Sequence, residues 1–144
     1  LNILVDADAC PVKEIIIKLA MVHKIPVTMI CDTSHKIEDG YSTVLVVDKA
    51  RDSVDIALIN RVVKGDIVVT QDYGVATMAL AKGTRVLNQN GMIYTNDNID
   101  RLLFERFLGQ KVRRSGGRTS PHQKRKKEDD ESFEKALLKI ILES

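Results

Sequence analysis

Residues 2–11 read NILVDADACP. The run Asn2 to Val5 is short and apolar, which predicts a buried strand. It ends on Asp6, with Asp8 two residues later. Pro11 then suits the first turn of a helix, where its missing N–H costs nothing. Val12, Ile15, Ile16, Leu19, Ala20 and His23 keep a helical period after it. The opening is therefore strand, acidic loop, helix.

The same alternation continues outward. Pro26 breaks the helix, and Val27 to Cys31 reads as a second strand. Asp32 to Gly40 is a polar loop, and Thr43 to Val47 is β-branched and apolar, a third strand. Asp52 or Ser53 can cap a helix carrying Val54, Leu58, Ile59, Val62 and Val63, which Lys64-Gly65 ends. Ile67 to Thr70 is a fourth strand, followed by Gln71-Asp72-Tyr73-Gly74. A small-residue helix with Val75, Ala76, Met78, Ala79 and Ala81 ends at Lys82-Gly83. Arg85 to Leu87 is a fifth strand and Asn90-Gly91 a turn signal. Asn96 or Asn98 can cap a helix carrying Ile99, Leu102, Leu103, Phe107 and Leu108.

Strands that alternate with helices predict an α/β protein in three layers, α/β/α, around a mainly parallel sheet. The strands are near-continuous apolar runs, as burial on both faces requires. The chain of 144 residues is 44% apolar and has one domain's worth of core. No repeat is visible. We divide it into an α/β domain over 1–109, a basic flexible arm over 110–127 and a C-terminal amphipathic helix over 128–144.

The net charge of +2 conceals an asymmetry. Residues 110–127 carry eight Lys or Arg and no acid, 128–144 carry six acids against two bases, and 1–109 is left at −2. The arm has Gly116-Gly117 and Pro121 and no apolar period beyond Val112. In the last segment Phe133, Leu137, Leu138, Ile140 and Ile141 form a stripe that must dock on the domain or on another subunit of a homo-oligomer.

Several function classes are disfavoured. Aromatic residues are 4% of the chain and Trp is absent, so a protein working mainly by stacking on bases is not expected. Cys10 and Cys31 make no CxxC pair and complete no zinc site; a reducing cytoplasm fits them. Asp6 and Asp8 interrupt the first apolar run, against a signal peptide. No run approaches the roughly 20 apolar residues needed to span a bilayer.

In an open parallel sheet, sites lie beyond the carboxyl ends of the strands. Asp6 and Asp8 follow the first strand, and Asp72 follows the fourth. Asp52 and Asp55 open the helix after the third, as neighbours at i, i+3. Converging carboxylates repel unless a cation neutralises them. All-oxygen ligands select Mg²⁺ or Mn²⁺ over Zn²⁺. The competing reading for each residue is structural. Asp8 can mark helix entry, and Asp52 and Asp72 can cap helices. Asp32, Asp48 and Asp66 read as loop or cap residues. Cys10 lies near a helix N-terminus, where a thiol can become acidic, but reads first as a small buried hydrophobe.

The run ILVDADACPVK, the D-x-x-D at Asp52 to Asp55 and GDIVVTQDYG-x-A resemble the YaiI/YqxD family of uncharacterised bacterial proteins. So do G-x-x-Y-T-x-x-N-I at Gly91 to Ile99, RRSGGRT at Arg113 to Thr119 and F-x-x-A-L at Phe133 to Leu137. That resemblance implies a PIN-like domain, the fold of metal-dependent ribonucleases. Carried over to this chain, it makes Asp6, Asp55 and Asp72 the catalytic acids. Asp6, Asp8, Asp52, Asp55 and Asp72 become the ligands of Mg²⁺ or Mn²⁺. The expected activity is phosphodiester hydrolysis of RNA or single-stranded nucleic acid. Thr70 and Gln71 would orient water or phosphate. Arg113, Arg114, Arg118, Lys124, Arg125, Lys126 and Lys127 would meet the phosphate backbone.

Two rival readings stand beside this one. A non-catalytic nucleic-acid-binding protein would use the arm alone. A phosphatase of the haloacid dehalogenase type would use the hhhDxD-like opening. The second needs Asp66 and Asp72 at one metal, yet they flank a strand from opposite ends, roughly 20 Å apart at strand rise.

Overall fold

A computed structural model describes residues 1–32, 37–48, 53–114, 116 and 124–144. The expected strands form: β1 (Ile3–Asp6), β2 (Val27–Asp32), β3 (Thr43–Val47), β4 (Ile67–Val69) and β5 (Arg85–Leu87). They pair side by side in parallel, and a short β6 (Ile93–Tyr94) adds an antiparallel edge, giving the order β3-β2-β1-β4-β5-β6. The helices are α1 (Lys13–His23), α2 (Val54–Arg61), α3 (Tyr73–Ala81), α4 (Asn96–Arg114) and α5 (Lys127–Glu143). The fold is three-layered α/β/α.

Pleating explains the two cores. Ile3 and Val5, with Val27, Met29, Ile67, Val69 and Leu87, face α1 and α5. Leu4, Ile30, Val68 and Val86 point the other way, against α2, α3 and α4. Handedness explains which helix goes where. From β1 the chain steps through α1 to β2 on one side. It then returns across the sheet through α2 to β4 and onward through α3 to β5. Right-handed crossovers stepping in opposite directions place their helices on opposite faces. The direction reverses at β1, so β1 and β4 bound a crevice at their carboxyl ends.

Some elements differ from the sequence expectation. The Asn90-Gly91 turn belongs to a hairpin whose second strand, β6, is too short to show a period. Helix α2 stops at Arg61, because Val62 is extended with ψ 144°. Below it, Asp66 is buried and accepts the amide N–H groups of Asn2 at 3.0 Å and Val63 at 2.9 Å. Asp66 thus pins the edge of the sheet opposite the crevice. Helix α4 is capped at Thr95, ahead of both expected caps, Asn96 and Asn98. The Thr95 hydroxyl accepts from the Asn98 amide at 3.1 Å, and the Asn98 side chain accepts from the Thr95 amide at 2.8 Å. The helix then runs on to Arg114, through the first residues of the segment read as an arm.

The stripe on α5 docks on its own domain, the first of the two partners open to it. Phe133, Leu137, Ile140 and Ile141 are buried in the α1-side core. Arg85 reaches from β5 to the end of α5 and donates to the carbonyls of Ile140 and Glu143 at 3.3 and 3.2 Å, groups a helix end leaves unpaired. At the other end, α5 passes so close to the hairpin that a Cβ on Gly91 would lie 2.5 Å from the Ser132 carbonyl oxygen.

Candidate active site

The crevice at the switch point is built around Thr70. Strand β4 ends just before it, and the residue is almost fully buried between β1 and β5. Its amide donates to Leu87 at 3.1 Å, and its carbonyl accepts the Tyr94 hydroxyl at 3.2 Å. With the backbone fixed, the Thr70 hydroxyl donates to Asp6 Oδ2 at 2.9 Å and accepts the Asp72 amide at 3.0 Å. One side chain therefore joins the ends of β1 and β4.

Asp72 is also the N-cap of α3. Its Oδ1 accepts from the amides of Gly74 at 2.7 Å and Val75 at 3.2 Å. The capping reading of Asp72 holds, and its second oxygen makes no hydrogen bond among the described residues. Asp55 lies in the first turn of α2, behind the Ser53 cap. Asp52 and Arg118 lie outside the described residues.

Electrostatics shows which carboxylates feel one another's charge. Burial pushes Asp6 up to about 6; the Thr70 hydrogen bond opposes this, and the charges of Asp55, Asp72 and Asp8 add to it. Asp55 is raised by burial and then by Asp72. Asp6, Asp55 and Asp72 therefore share one field, and among the described residues none of them is ion-paired to a base. Asp8 lies at the rim, where it accepts the Asp32 amide at 3.2 Å from the end of β2. The level match of Asp8 with Asp32 follows from the β1–β2 register, in which Asp6 pairs with Ile30. That register was the missing signal in the sequence.

Gln71 is exposed, and its Nε2 donates to the Ala9 carbonyl at 3.1 Å across the crevice mouth. Ala9 holds a left-handed φ of 57° in the DADAC loop. Cys10 is buried, and burial raises its thiol, so the inert reading of that cysteine fits. Arg125 differs from its basic neighbours. It pairs with Asp130 at 2.7 Å and donates to Asn90 Oδ1 and the Gln89 carbonyl, each at 2.7 Å, which fastens the start of α5 to the β5–β6 turn. Lys124, Lys126 and Lys127 are exposed, and Arg113 and Arg114 occupy the last turn of α4.

The donor set suits a hard dication chemically, being oxygen-only, acidic and without a neutralising base. Among the described residues, however, no group of three or more His, Cys, Asp or Glu is gathered tightly enough to hold an ion.

A three-layer α/β domain with an acidic crevice at its topological switch point is the class these features define. Within that class the chain belongs to the YaiI/YqxD family, whose model, described as "Uncharacterized BCR, YaiI/YqxD family", matches residues 4–143. A "UPF0178 protein" of Ruminiclostridium cellulolyticum is 71% identical over 98% of this chain and 92% of its own length. Another of the same name from Alkaliphilus oremlandii is 49% identical over 100% of this chain and 93% of its own. One from Exiguobacterium sibiricum is 43% identical over 99% and 98%. No solved structure matches the chain significantly. No helix among the described residues is long and apolar enough to cross a membrane.

Proposed function

We propose that the chain is a Mg²⁺- or Mn²⁺-dependent nuclease that hydrolyses phosphodiesters of RNA or single-stranded nucleic acid in the cytoplasm. One observation carries this reading. Asp6 and Asp72, tied through a buried hydroxyl, share a field with Asp55 at the switch point and have no base among the described residues to neutralise them.

Asp6, Asp55 and Asp72 would hold the dication, with Asp8 and Asp52 beside them. A bound ion supplies an activated water and charge neutralisation on phosphodiester oxygens. The protein contributes orientation. Thr70 fixes one oxygen of Asp6, and the first amides of α3 fix one oxygen of Asp72, so each carboxylate offers its other oxygen from a set position. The Thr70 hydroxyl is thereby committed to the two acids, which makes it a positioning group. Gln71 stands at the mouth, where phosphate would pass. Arg113, Arg114, Arg118, Lys124, Lys126 and Lys127 would contact the backbone, and Arg125 would hold the platform that carries them.

The test is Mn²⁺ titration of the wild-type chain, Asp6→Asn and Asp72→Asn, with cleavage of a labelled RNA pool read in the same tubes. Wild type should bind Mn²⁺ and cut, and both variants should lose cutting. Mn²⁺ binding by the wild type, with no cleavage by any of the three proteins, would overturn the enzymatic reading in favour of a nucleic-acid-binding protein. Phosphate release from small monoesters would replace it with a phosphatase.

A further inference from the structure

The two edges of the sheet are not alike. β6 is two residues long, too short to template another chain. β3 is five residues long and reads TVLVV, with no charge, no proline and an unbroken register to β2. An edge strand turns a row of N–H and C=O groups outward. Among the described residues nothing answers that row, because Thr43 to Val47 make no hydrogen bond outside the ladder with β2. Just before it, Asp39 accepts the amides of Tyr41 and Ser42 at 2.8 and 2.7 Å, so the open row begins at Thr43. Apolar side chains flank the row. Val46 is 50% exposed, and Ile56 of α2, 52% exposed, lines a groove of 530 Å³ with Leu45, Val46 and Ala57.

We propose that this edge pairs with a second copy of the chain, β3 antiparallel to β3, joining two six-stranded sheets into one. Open backbone donors and acceptors call for an extended backbone, and the strand's own pattern supplies it. A twofold axis through the sheet keeps each face continuous with its like, so opposed residues must point the same way and their numbers must add to an even sum. Centring the axis on Leu45 pairs the whole strand. Leu45 meets Leu45 of the second copy, Val44 meets Val46, and Thr43 meets Val47. Every opposed pair is apolar or β-branched, the kind that stabilises neighbouring strands, and no like charges meet. A parallel pairing fails, because the slanted bonds of a parallel ladder treat its two strands differently and a twofold axis cannot.

Pairing five residues in this way makes about four to six backbone hydrogen bonds. With Val46, Ile56 and the walls of the two grooves, it removes on the order of 1,000 Å² from water, the low end for a specific interface. That is about one hydrogen bond per 200 Å², the density such interfaces carry. The pair should therefore form with rising concentration and come apart on dilution. Because the strands run in opposite directions, the two acidic crevices lie at opposite ends of the joined sheet, and pairing leaves both open.

Sedimentation equilibrium of the full chain, across a concentration series, reads the pairing. Wild type should dimerise. Val46→Lys should weaken the dimer about tenfold or more, since the ammonium would be set against Val44 of the second copy. Its circular-dichroism melt at low concentration should stay close to wild type, because half of Val46 is already in water. Register is read by oxidation with copper phenanthroline. Leu45→Cys should cross-link to its own copy, because opposed Cα atoms lie about 4.5–5.5 Å apart, within disulfide reach. Thr43→Cys should not, because its counterpart lies about 14 Å away. Wild type, whose two cysteines are buried, gives the background. A wild-type chain that stays monomeric over the whole series overturns the inference and leaves the edge to the extended segment of another protein. A dimer that keeps its strength in Val46→Lys overturns it too, as does Thr43→Cys cross-linking as readily as Leu45→Cys.

Discussion

The Thr70 hydroxyl donates to Asp6 while accepting from the Asp72 amide, so removing it frees two acids at once. Asp6 shows what burying a carboxylate costs the fold, with the neighbouring acids adding to it. Its carboxyl titrates near 6 in the folded chain against an ordinary 3.8. Between those values the folded state keeps a proton that the unfolded state has lost. Stability therefore falls as pH rises through that window, and the full penalty stands above pH 6. The difference corresponds to roughly 2–3 kcal/mol. Urea unfolding should accordingly find Asp6→Asn more stable than wild type at pH 7.5, with the advantage shrinking toward pH 4. Equal curves at both pH values would show that Asp6 carries no such burden. Ala9 is a second strained point. An L residue at φ 57° gives up about 1–2 kcal/mol, and glycine's looser unfolded chain returns part of that. Ala9→Gly should thus gain up to about 1 kcal/mol in thermal melts. Asp6 and Asp72 are legible in the sequence because the first directly follows an apolar run and the second lies just past one, after Thr70 and Gln71. The bridging role of Thr70 is not, since it depends on β1 lying beside β4. Asp8 meeting Asp32 likewise depends on a register that no local pattern encodes.

At the scale of elements, legibility follows length and packing. Strands β1 to β5 are read from their apolar runs, while β6, two residues long, carries no period. The Y-T-x-x-N stretch at 94–98 does two separate jobs. Tyr94 reaches the Thr70 carbonyl, and Thr95 with Asn98 caps α4. Phe107 and Leu108 fit a helical stripe with Ile99 and Leu102, yet they are exposed. By that point α4 has left the domain, and periodicity does not say where a neighbour ends. The hairpin and α5 are coupled at Gly91. There φ is +85°, and an added methyl would sit within 2.5 Å of a backbone oxygen. Gly91→Ala should cost about 2–3 kcal/mol. Hydrogen exchange should quicken in α5 more than in α2 or α3, and uniform quickening would mean that α5 does not depend on this close approach.

For the whole molecule, charge is divided between a crevice of acids and a stretch of bases. The stretch runs from the end of α4 to the start of α5. Replacing Arg113, Arg114, Arg118, Lys124, Lys126 and Lys127 by Gln, with Arg125 left as the anchor, should weaken binding of a labelled single strand. The slope of log affinity against log salt should flatten by about 0.7 for each phosphate no longer neutralised. An unchanged slope would remove this segment from the proposed interface. The three-layer architecture was readable from the alternation of strands and helices alone. The docking of the last helix was not, because an amphipathic stripe states that a partner is needed without naming it.

That docking sets a schedule for the chain's birth. One face of the sheet stays partly bare until Phe133, Leu137, Ile140 and Ile141 have left the ribosome, since they complete the core formed with α1. A nascent chain halted before them would present a sticky, unfinished layer to chaperones and proteases. The cell would meet the product of a late nonsense codon as a degradation substrate, with its acids, crevice and all six strands of the sheet already translated.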